Sequence, residues 1–203
     1  MITTVLSDLD GVLVASMDAT RRAWTAWGDR HGIDGAALQS AHHGWPARDV
    51  VALVVDAADV PAETEFVRRT EVADVVGIRA FEGAAGILRL PRVAVVTSCE
   101  AALAVARLHG AGLTAPRVVV TADMVTHGKP APDAYLLAAR RLGAAPADCV
   151  VIEDAPAGVA AGRAAGMTVW AVSTTHHPRE LGDAHRVASG LPELLADLES
   201  APA

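Results

Sequence analysis

The sequence predicts an α/β fold in which a parallel β-sheet carries helices on both faces. After residue 83, short apolar runs rich in β-branched residues alternate with helix-like segments, which is the pattern of strand–helix–strand units. The first such run is separated from the others by a mostly helical stretch at residues 16–78. The chain has 203 residues, 52% of them hydrophobic, which suits one buried core carrying an insertion.

The first part of the chain begins with one strand and continues as helices. The predicted elements are a strand at 3–6 and helices at 16–31, 49–58 and 62–75. Gly32 is placed to end the first helix, and Pro61 lies at the start of a helix, where its missing N–H does no harm. We therefore expect residues 1–15 and 79–203 to form the sheet domain, and residues 16–78 to form a small helical domain.

The second part of the chain completes the sheet. The predicted strands are 92–96, 117–121, 149–152, 168–172 and 185–187, and the predicted helices are 100–109, 133–142, 157–165 and 192–198. Strands of this kind, apolar throughout, are typical of a parallel sheet that is buried on both faces.

Charge and cysteine content exclude several classes of function. The net charge is −7 with no basic run, which disfavours binding to nucleic acid or to an anionic membrane. Cys99 and Cys149 are far apart and match no zinc or redox spacing, so free thiols in a reducing compartment are expected. The N-terminus lacks signal-peptide features, and the apolar runs are too short to span a bilayer. The sequence therefore predicts a cytoplasmic protein.

Polar side chains follow four of the predicted strands. They are Asp8 and Asp10, Thr97 and Ser98, Lys129, and Glu153 and Asp154. In open α/β sheets, ligands bind beyond the carboxyl ends of the strands, so these groups are expected to meet at one edge. Of the 17 lysine and arginine residues in the chain, Lys129 is the only lysine and the other 16 are arginine. This suggests a need for a compact ammonium at that position.

This set of groups is suited to phosphoryl transfer. Crowded carboxylates call for a hard cation such as Mg²⁺, which prefers oxygen ligands. A cation and an ammonium together can neutralise a phosphate, while a hydroxyl and loop N–H groups orient it. One carboxylate can attack phosphorus, and a second one two residues away can move a proton.

The polar groups belong to four segments, which are DLDGVL at 8–13, VVTS at 95–98, GKPAPD at 128–133 and IEDAPAG at 152–158. In these segments the chain resembles the haloacid dehalogenase superfamily of phosphatases and phosphomutases. All four motifs of that family are present in order, and the resemblance covers essentially the whole chain. It implies a Rossmann-like core domain and an α-helical cap, formed by the insertion, that closes over the site.

The resemblance also implies a role for each motif residue. Asp8 would be the nucleophile and Asp10 the general acid/base, while Thr97, Ser98 and Lys129 would bind the phosphoryl group. Mg²⁺ would be bound by Asp8, the backbone carbonyl of Asp10 and Asp154, with Glu153 as a further ligand or a supporting contact.

Within that superfamily the chain looks similar to the glycerol-3-phosphate and 2-deoxyglucose-6-phosphate phosphatase branch. His43-Gly44-Trp45, the segment 153–158 and Thr174-Thr175-His176 carry this closer resemblance. His43, Trp45 and Arg48 are the candidate substrate contacts in the cap. Two departures stand out: Ala15-Ser16 replaces a usual Asp–Ser pair, and Pro46-Ala47 replaces an arginine for which Arg48 is the candidate substitute.

The predicted activity is hydrolysis of a small phosphorylated metabolite, a sugar or polyol phosphate, through an aspartyl-phosphate, by a monomer or weak dimer. A sugar phosphomutase of the β-phosphoglucomutase type is the main alternative. It would need cap cations to retain a bisphosphate, and the cap offers mainly Arg48. A dehalogenase would need neither Asp10 nor a metal cluster, and the intact set of motifs argues against a non-catalytic binding module.

Overall fold

The computed structural model describes residues 4–42 and 44–200. The strands are β1 (Thr4–Ser7), β2 (Val14–Ala15), β3 (Arg79–Ala80), β4 (Val93–Val96), β5 (Val118–Val120), β6 (Cys149–Glu153), β7 (Thr168–Val172) and β8 (Arg186–Ala188). The α-helices are α1 (Met17–His31), α2 (Gly35–Ala41), α3 (Ala47–Val51), α4 (Val60–Ala73), α5 (Ala84–Leu88), α6 (Ala101–Gly110), α7 (Asp133–Leu142), α8 (Pro156–Ala164) and α9 (Leu191–Ser200). Short 3₁₀ turns lie at Ala122–Met124, Pro146–Asp148 and Pro178–Leu181.

The central sheet has six strands in the order β5-β4-β1-β6-β7-β8, and every neighbouring pair is parallel. The strand β1 lies in the middle, between β4 and β6. After β1 the chain forms β4 and β5 on one side of it and then β6, β7 and β8 on the other side, so the strand order reverses beside β1. This is the doubly wound arrangement of a Rossmann-like fold, and the crevice at its reversal point is where ligands bind. The predicted fold class is confirmed.

Alternate residues of the strands pack into two separate apolar cores. Val5 and Val95 belong to one core, while Leu6, Ala94 and Val96 belong to the other. Successive side chains of a strand point to opposite faces of the sheet, so two cores mean that helices cover both faces. This double burial explains why the strands are apolar throughout and show no alternation.

A third apolar cluster lies in the helical segment between β2 and β3. Its buried members come from α1, α3 and α4, and they are Trp24, Trp27, Val50, Val51 and Val67. The strands β2 and β3 pair antiparallel at the two ends of this segment. The sequence did not predict this ribbon, since strands of two residues leave no periodic signal.

One predicted helix was wrong in extent. The sequence predicted a helix over 49–58, whereas α3 is Ala47–Val51 and turns follow it. After Val51 the backbone forms tighter turns, in which the amides of Leu53 and Val54 donate hydrogen bonds to the carbonyl groups three residues earlier. The β-branched residues in this stretch restrict side-chain rotamers in a helix, which favours an early end. None of the helices among residues 4–42 and 44–200 has the length and apolar character needed to cross a membrane.

Candidate active site

Four chain segments bring polar groups to the carboxyl edge of the sheet. Asp8 directly follows β1, Thr97 directly follows β4, and Glu153 is the last residue of β6. Ser7 is in register with both Val95 and Ile152, so the three strands end at the same level. Lys129 reaches the same place from the loop that precedes α7. The structure thus brings these polar groups together at one edge of the sheet, as the sequence predicted.

Lys129 is the centre of this edge. Its Nζ donates hydrogen bonds to Asp8 Oδ1 at 2.6 Å, to Glu153 Oε1 at 2.6 Å and to the carbonyl oxygen of Val96 at 3.2 Å. An ammonium has three N–H groups, so all of its donors are used. The side chain is almost completely buried, with 4% of the residue exposed. Such a lysine has one orientation and therefore holds the Asp8 carboxylate in a fixed position.

Glu153 is held on both carboxylate oxygens. Oε1 also accepts a hydrogen bond from the Tyr135 hydroxyl at 2.6 Å, and Oε2 accepts one from the backbone amide of Asp154 at 3.1 Å. Gly158 allows this packing, because a Cβ atom at that position would lie 1.9 Å from the Glu153 carboxylate. The glycine of the fourth motif is therefore needed for close approach, and Glu153 supports Lys129.

Asp154 lies against the loop after β7. The Thr175 hydroxyl donates to Asp154 Oδ2, and His176 Nδ1 lies 3.0 Å from the Asp154 carbonyl oxygen. Gly11 has a φ of +85°, and a Cβ atom there would lie 2.0 Å from Asp154 Oδ2. The ring of His176, a residue of the segment that carries the closer family resemblance, thus lies beside the backbone of Asp154.

The carboxylates of this edge form a compact buried cluster. Asp8, Glu153 and Asp154 each offer one oxygen, and these oxygens lie within 4.8 Å of one another. Burial raises the pKa of Asp8 to about 7, although the Lys129 ammonium opposes the shift. Burial, together with the charges of Glu153 and Asp8, raises the pKa of Asp154 well above its ordinary value. One ammonium is thus too little positive charge for the carboxylates gathered here.

Lys129 itself stays protonated. Burial alone would lower its pKa, but the neighbouring Asp8 and Glu153 carboxylates hold the pKa well above the ordinary value for lysine. A permanent cation beside Asp8 is suited to binding an anion such as a phosphoryl group.

Asp10 lies outside this cluster and has partners of its own. The Ser16 hydroxyl donates to Asp10 Oδ1, and Cys99 Sγ donates to Oδ2 at 3.0 Å. The guanidinium Nε of Arg107 lies 3.2 Å from Oδ1. The residues that surround this predicted acid/base group were not identified from the sequence.

Arg107 is a buried cation with partners in the helical segment. It is 1% exposed and donates from Nη2 to Glu71 of α4 at 3.1 Å and to the Thr20 hydroxyl of α1 at 2.9 Å. The sequence does carry a signal for it. The buried positions of α6 are Leu103, Ala104, Arg107 and Leu108, so an arginine lies within an apolar stripe.

A cavity opens between this edge and the helical segment, with a volume of about 170 Å³, enough for a small organic molecule. Its walls include Asp8, Asp10, Thr97, Ser98, Lys129, Glu153 and Asp154 from the sheet edge, and Gln39, Trp45, Arg48, Thr64, Arg68 and Glu71 from the helical segment. The size and enclosure of this space favour a metabolite as the ligand rather than a macromolecule.

Comparisons with known proteins agree on one family. A family model described as haloacid dehalogenase-like hydrolase matches residues 2–166. Hexitol phosphatase A of Escherichia coli (strain K12) is 42% identical over 198 residues, covering 93% of this chain and 91% of that protein. The chain belongs to the haloacid dehalogenase-like hydrolases. Fructose-1-phosphate phosphatase YqaB of the same organism is 33% identical over 173 residues, covering 80% of this chain and 92% of that protein.

The fold of this haloacid dehalogenase-like hydrolase also matches solved structures. The crystal structure of a hydrolase from Pseudomonas syringae superposes with a TM-score of 0.89 and 24% sequence identity, covering 99% of this chain and 100% of that chain. The family that the four motifs predicted is confirmed.

The residues of the helical segment that were predicted to contact substrate have mixed positions in this hydrolase. Trp45 and Arg48 line the cavity, and Trp45 is 39% exposed. Arg48 Nη2 donates to the Thr126 carbonyl oxygen at 3.1 Å, in the loop before α7. His43 lies outside the described residues.

Thr97 and Ser98 differ in what they contact. Thr97 is buried, and its hydroxyl oxygen accepts a hydrogen bond from the backbone amide of Cys99 at 3.0 Å. Ser98 donates to the Gly44 carbonyl oxygen at 2.7 Å, which joins the sheet edge to the helical segment. Gly44 has a φ of +89°, and a Cβ atom there would lie 3.3 Å from that of Ala155. The helical segment is thus in direct contact with the motif loops.

Proposed function

We propose that this enzyme is a Mg²⁺-dependent phosphatase that hydrolyses a small sugar or polyol phosphate, with Asp8 as the nucleophile. The observation that carries the proposal is the fixed pair of Asp8 and Lys129, buried at the end of the cavity and 2.6 Å apart. A carboxylate held next to a permanent ammonium is arranged to attack phosphorus while the ammonium neutralises phosphoryl oxygens. The relatives named hexitol phosphatase and fructose-1-phosphate phosphatase support this substrate class.

The acidic cluster fits a divalent metal ion. Its donors are all carboxylate oxygens, which Mg²⁺ prefers. Burial raises the pKa of both Asp8 and Asp154, and the single Lys129 ammonium only partly offsets the rise. We propose that Asp8, Asp154 and the backbone carbonyl of Asp10 hold the ion. When bound, it supplies positive charge that offsets repulsion between the nucleophile and an anionic substrate.

Glu153 has a different proposed role from the other acids. Both of its oxygens are used, one by Lys129 and Tyr135 and the other by the Asp154 amide. We propose that Glu153 fixes the Lys129 ammonium and the turn that carries Asp154, and that it supports the metal site without binding the ion.

The proposed reaction proceeds in two displacements. The Asp8 carboxylate attacks phosphorus, the substrate alcohol leaves, and an aspartyl-phosphate forms on Asp8. Asp10 donates a proton to the departing oxygen and then takes one from the water that hydrolyses the aspartyl-phosphate. The Lys129 ammonium neutralises the phosphoryl oxygens in both steps and Thr97 orients them, with Ser98 beside them at the cavity wall.

We further propose that residues 16–78 act as a cap over a core made of residues 1–15 and 79–203. The separate apolar cluster of α1, α3 and α4 and the ribbon β2–β3 at the ends of the segment support this division. In this proposal Trp45 and Arg48 contact substrate from the cap, together with His43. A cytoplasmic monomer or weak dimer remains our expectation for the whole protein.

The phosphatase activity is favoured over the phosphomutase alternative. Both relatives described above carry the name phosphatase. A mutase must also hold a second phosphate under the cap, yet Arg48 already donates to Thr126, and Arg68 is paired with Glu65. The cap therefore offers little free positive charge for a bisphosphate.

The direct test measures phosphate release from a panel of hexitol, hexose and glycerol phosphates, with Mg²⁺ and with excess chelator. We expect turnover that requires the ion, and loss of turnover in Asp154→Ala. Full activity in excess chelator would exclude the metal, and no turnover across the panel would exclude the substrate class. To separate the alternatives, β-glucose 1-phosphate is supplied with a trace of the 1,6-bisphosphate. Glucose 6-phosphate formed faster than free phosphate would show a mutase.

A further inference from the structure

One face of α4 forms a polar wall of the cavity. Thr64, Arg68 and Glu71 are spaced i, i+4 and i+7, so they lie on the same side of the helix, and all three line the cavity. The same helix places Val67 in the apolar cluster of the helical segment. The polar wall is therefore a fixed part of the helical segment, and it faces the same space as Asp8 and Lys129.

Thr64 differs from the other two residues of this wall because its hydroxyl has no partner. Arg68 donates to Glu65, and Glu71 accepts from Arg107. The Thr64 Oγ1 is buried and makes no hydrogen bond within residues 4–42 and 44–200. Buried hydroxyls are normally hydrogen-bonded, so an unpaired one that lines a cavity points to a missing ligand group.

Other helical threonines show that local pairing was available. Thr25 and Thr70 both donate to the carbonyl oxygen four residues earlier, at 2.8 Å and 2.9 Å. This is the usual way for a threonine within a helix to satisfy its hydroxyl. Thr121 also has an unpaired hydroxyl, but it does not line the cavity. Among the described residues, Thr64 alone combines an unpaired buried hydroxyl with a place in the cavity wall.

We propose that the Thr64 hydroxyl is a specificity-determining contact that hydrogen-bonds a hydroxyl group of the substrate's carbon chain. This inference rests on the proposed phosphatase function and adds a residue that recognises the leaving alcohol by a hydrogen bond. A neutral hydroxyl can both donate and accept, which matches another hydroxyl better than it matches an anion. The ligand class is thus a polyhydroxylated phosphomonoester whose chain extends from Asp8 to α4.

The test compares two substrates across matched variants, in the presence of Mg²⁺. The substrates are a hexitol 6-phosphate and p-nitrophenyl phosphate, whose leaving group has no additional hydroxyl. Thr64→Val keeps the shape of the side chain and removes the hydroxyl, and Thr64→Ser keeps the hydroxyl. Thr70→Val is the control, since it makes the same change on the same helix at a hydroxyl that bonds Phe66.

In Thr64→Val we expect the ratio of kcat/KM for the hexitol phosphate to kcat/KM for the aryl phosphate to fall about 10-fold, mainly through KM. Thr64→Ser and Thr70→Val should keep the wild-type ratio. An unchanged ratio in Thr64→Val, or an equal fall in Thr70→Val, would overturn the inference alone. If the wild-type enzyme hydrolyses neither substrate, the proposed function fails and the inference fails with it.

Discussion

Two buried cations, Lys129 and Arg107, each hold a separate group of polar side chains in this enzyme. Lys129 lies at the sheet edge and holds Asp8 and Glu153. Arg107 lies between the sheet and the helical segment, where it pairs with Asp10 and Glu71. Each cation faces two carboxylates. The first group comes from motif loops, whereas the second joins α6 to α4 and includes Asp10, the proposed acid/base. The comparison separates the site of the nucleophile from a group that joins two parts of the chain next to Asp10.

The choice of cation in each group follows from its geometry. Lys129 directs three N–H bonds from one atom into a tight space, with two carboxylate contacts at 2.6 Å. Arg107 spreads its donors over a planar fork and reaches Thr20 of α1, Glu71 of α4 and Asp10 after β1. Its Nε and Nη1 make no hydrogen bond among the described residues. A compact ammonium and a wide guanidinium are not interchangeable. This explains why the chain keeps one lysine among its arginines.

The largest expected effect is at the nucleophile. Asp8→Asn keeps the shape of the side chain but removes the charge and the nucleophilic oxygen. We expect kcat for phosphate release to fall by at least about 1,000-fold, as for the loss of other catalytic nucleophiles. Stability should not fall in parallel, because burial already disfavours the charged form of Asp8.

The measurement pairs phosphate release with urea unfolding of the same preparation. Asp18→Asn is the control, since Asp18 is an exposed acid in the first turn of α1 that pairs with Arg21. Retained turnover in Asp8→Asn would remove Asp8 from the mechanism, while equal losses in both variants would indicate a general effect of the substitution.

The second prediction concerns stability at the other cation. Arg107→Met removes the positive charge that pairs with the Asp10 and Glu71 carboxylates. The two carboxylates then lie in largely buried positions without a neighbouring cation. Breaking a buried ion pair by removing one partner typically costs about 3–5 kcal/mol, and we expect a loss of that size in the free energy of unfolding. Urea unfolding at pH 8 measures it.

A matched control is Arg69→Met on α4, whose side chain is 68% exposed. Exposed ion pairs contribute little, so its unfolding free energy should stay within about 0.5 kcal/mol of wild type. If the two variants were equally stable, the Arg107 group would not join the two parts of the chain as we infer.

The same comparison shows what sequence can and cannot predict. Asp8, Thr97 and Asp154 lie directly after strands, and parallel strands must end at one edge, so the sequence places these groups without any knowledge of tertiary contacts. Arg107 and Glu71 lie inside amphipathic helices, 36 residues apart. Nothing in the local pattern says which helices will meet, and a charged residue in a helix is usually solvent-exposed.

Helix ends within the insertion were also less predictable than the sheet. The strand predicted at 168–172 is the observed β7, whereas α3 ends at Val51, well before the predicted helix end at 58. Strands of the sheet are specified by burial on both faces, but short helices depend on tertiary packing. Thr64 could not be identified from sequence, because what distinguishes it is that its hydroxyl makes no hydrogen bond within the part of the chain that the structure describes.

A third prediction exchanges the cation at the sheet edge. Lys129→Arg keeps the charge, but a planar guanidinium cannot contact Asp8, Glu153 and the Val96 carbonyl oxygen from one atom. We expect kcat/KM for a hexitol phosphate to fall about 100-fold, similar to the loss of one transition-state donor. Arg69→Lys, an exchange at an exposed position, is the control and should leave kcat/KM unchanged. Wild-type kinetics in Lys129→Arg would show that the ammonium does not contact the phosphoryl group.

The smallest expected effect is a change in pH dependence at Glu71. Burial raises the pKa of Glu71 from 4.5 to about 7, although the Arg107 guanidinium opposes the shift. Between these values the folded state binds more protons than the unfolded state, so the contribution to stability falls as pH rises from about 4.5 and is lost above about 7. For this one group the expected loss between pH 5 and pH 8 is about 2 kcal/mol.

Glu71→Gln cannot titrate and should lack that loss. Urea unfolding of both proteins at pH 5, 6, 7 and 8 without metal gives two slopes, and acids common to both proteins, such as Asp8, cancel in their difference. Glu65→Gln on the same helix is the control, since Glu65 is exposed and hydrogen bonding to Arg68 lowers its pKa instead. Parallel slopes for wild type and Glu71→Gln would mean that Arg107 fully compensates the burial of Glu71. A steeper wild-type slope would mean that the negative charge beside Arg107, like that beside Lys129, exceeds what one cation can neutralise.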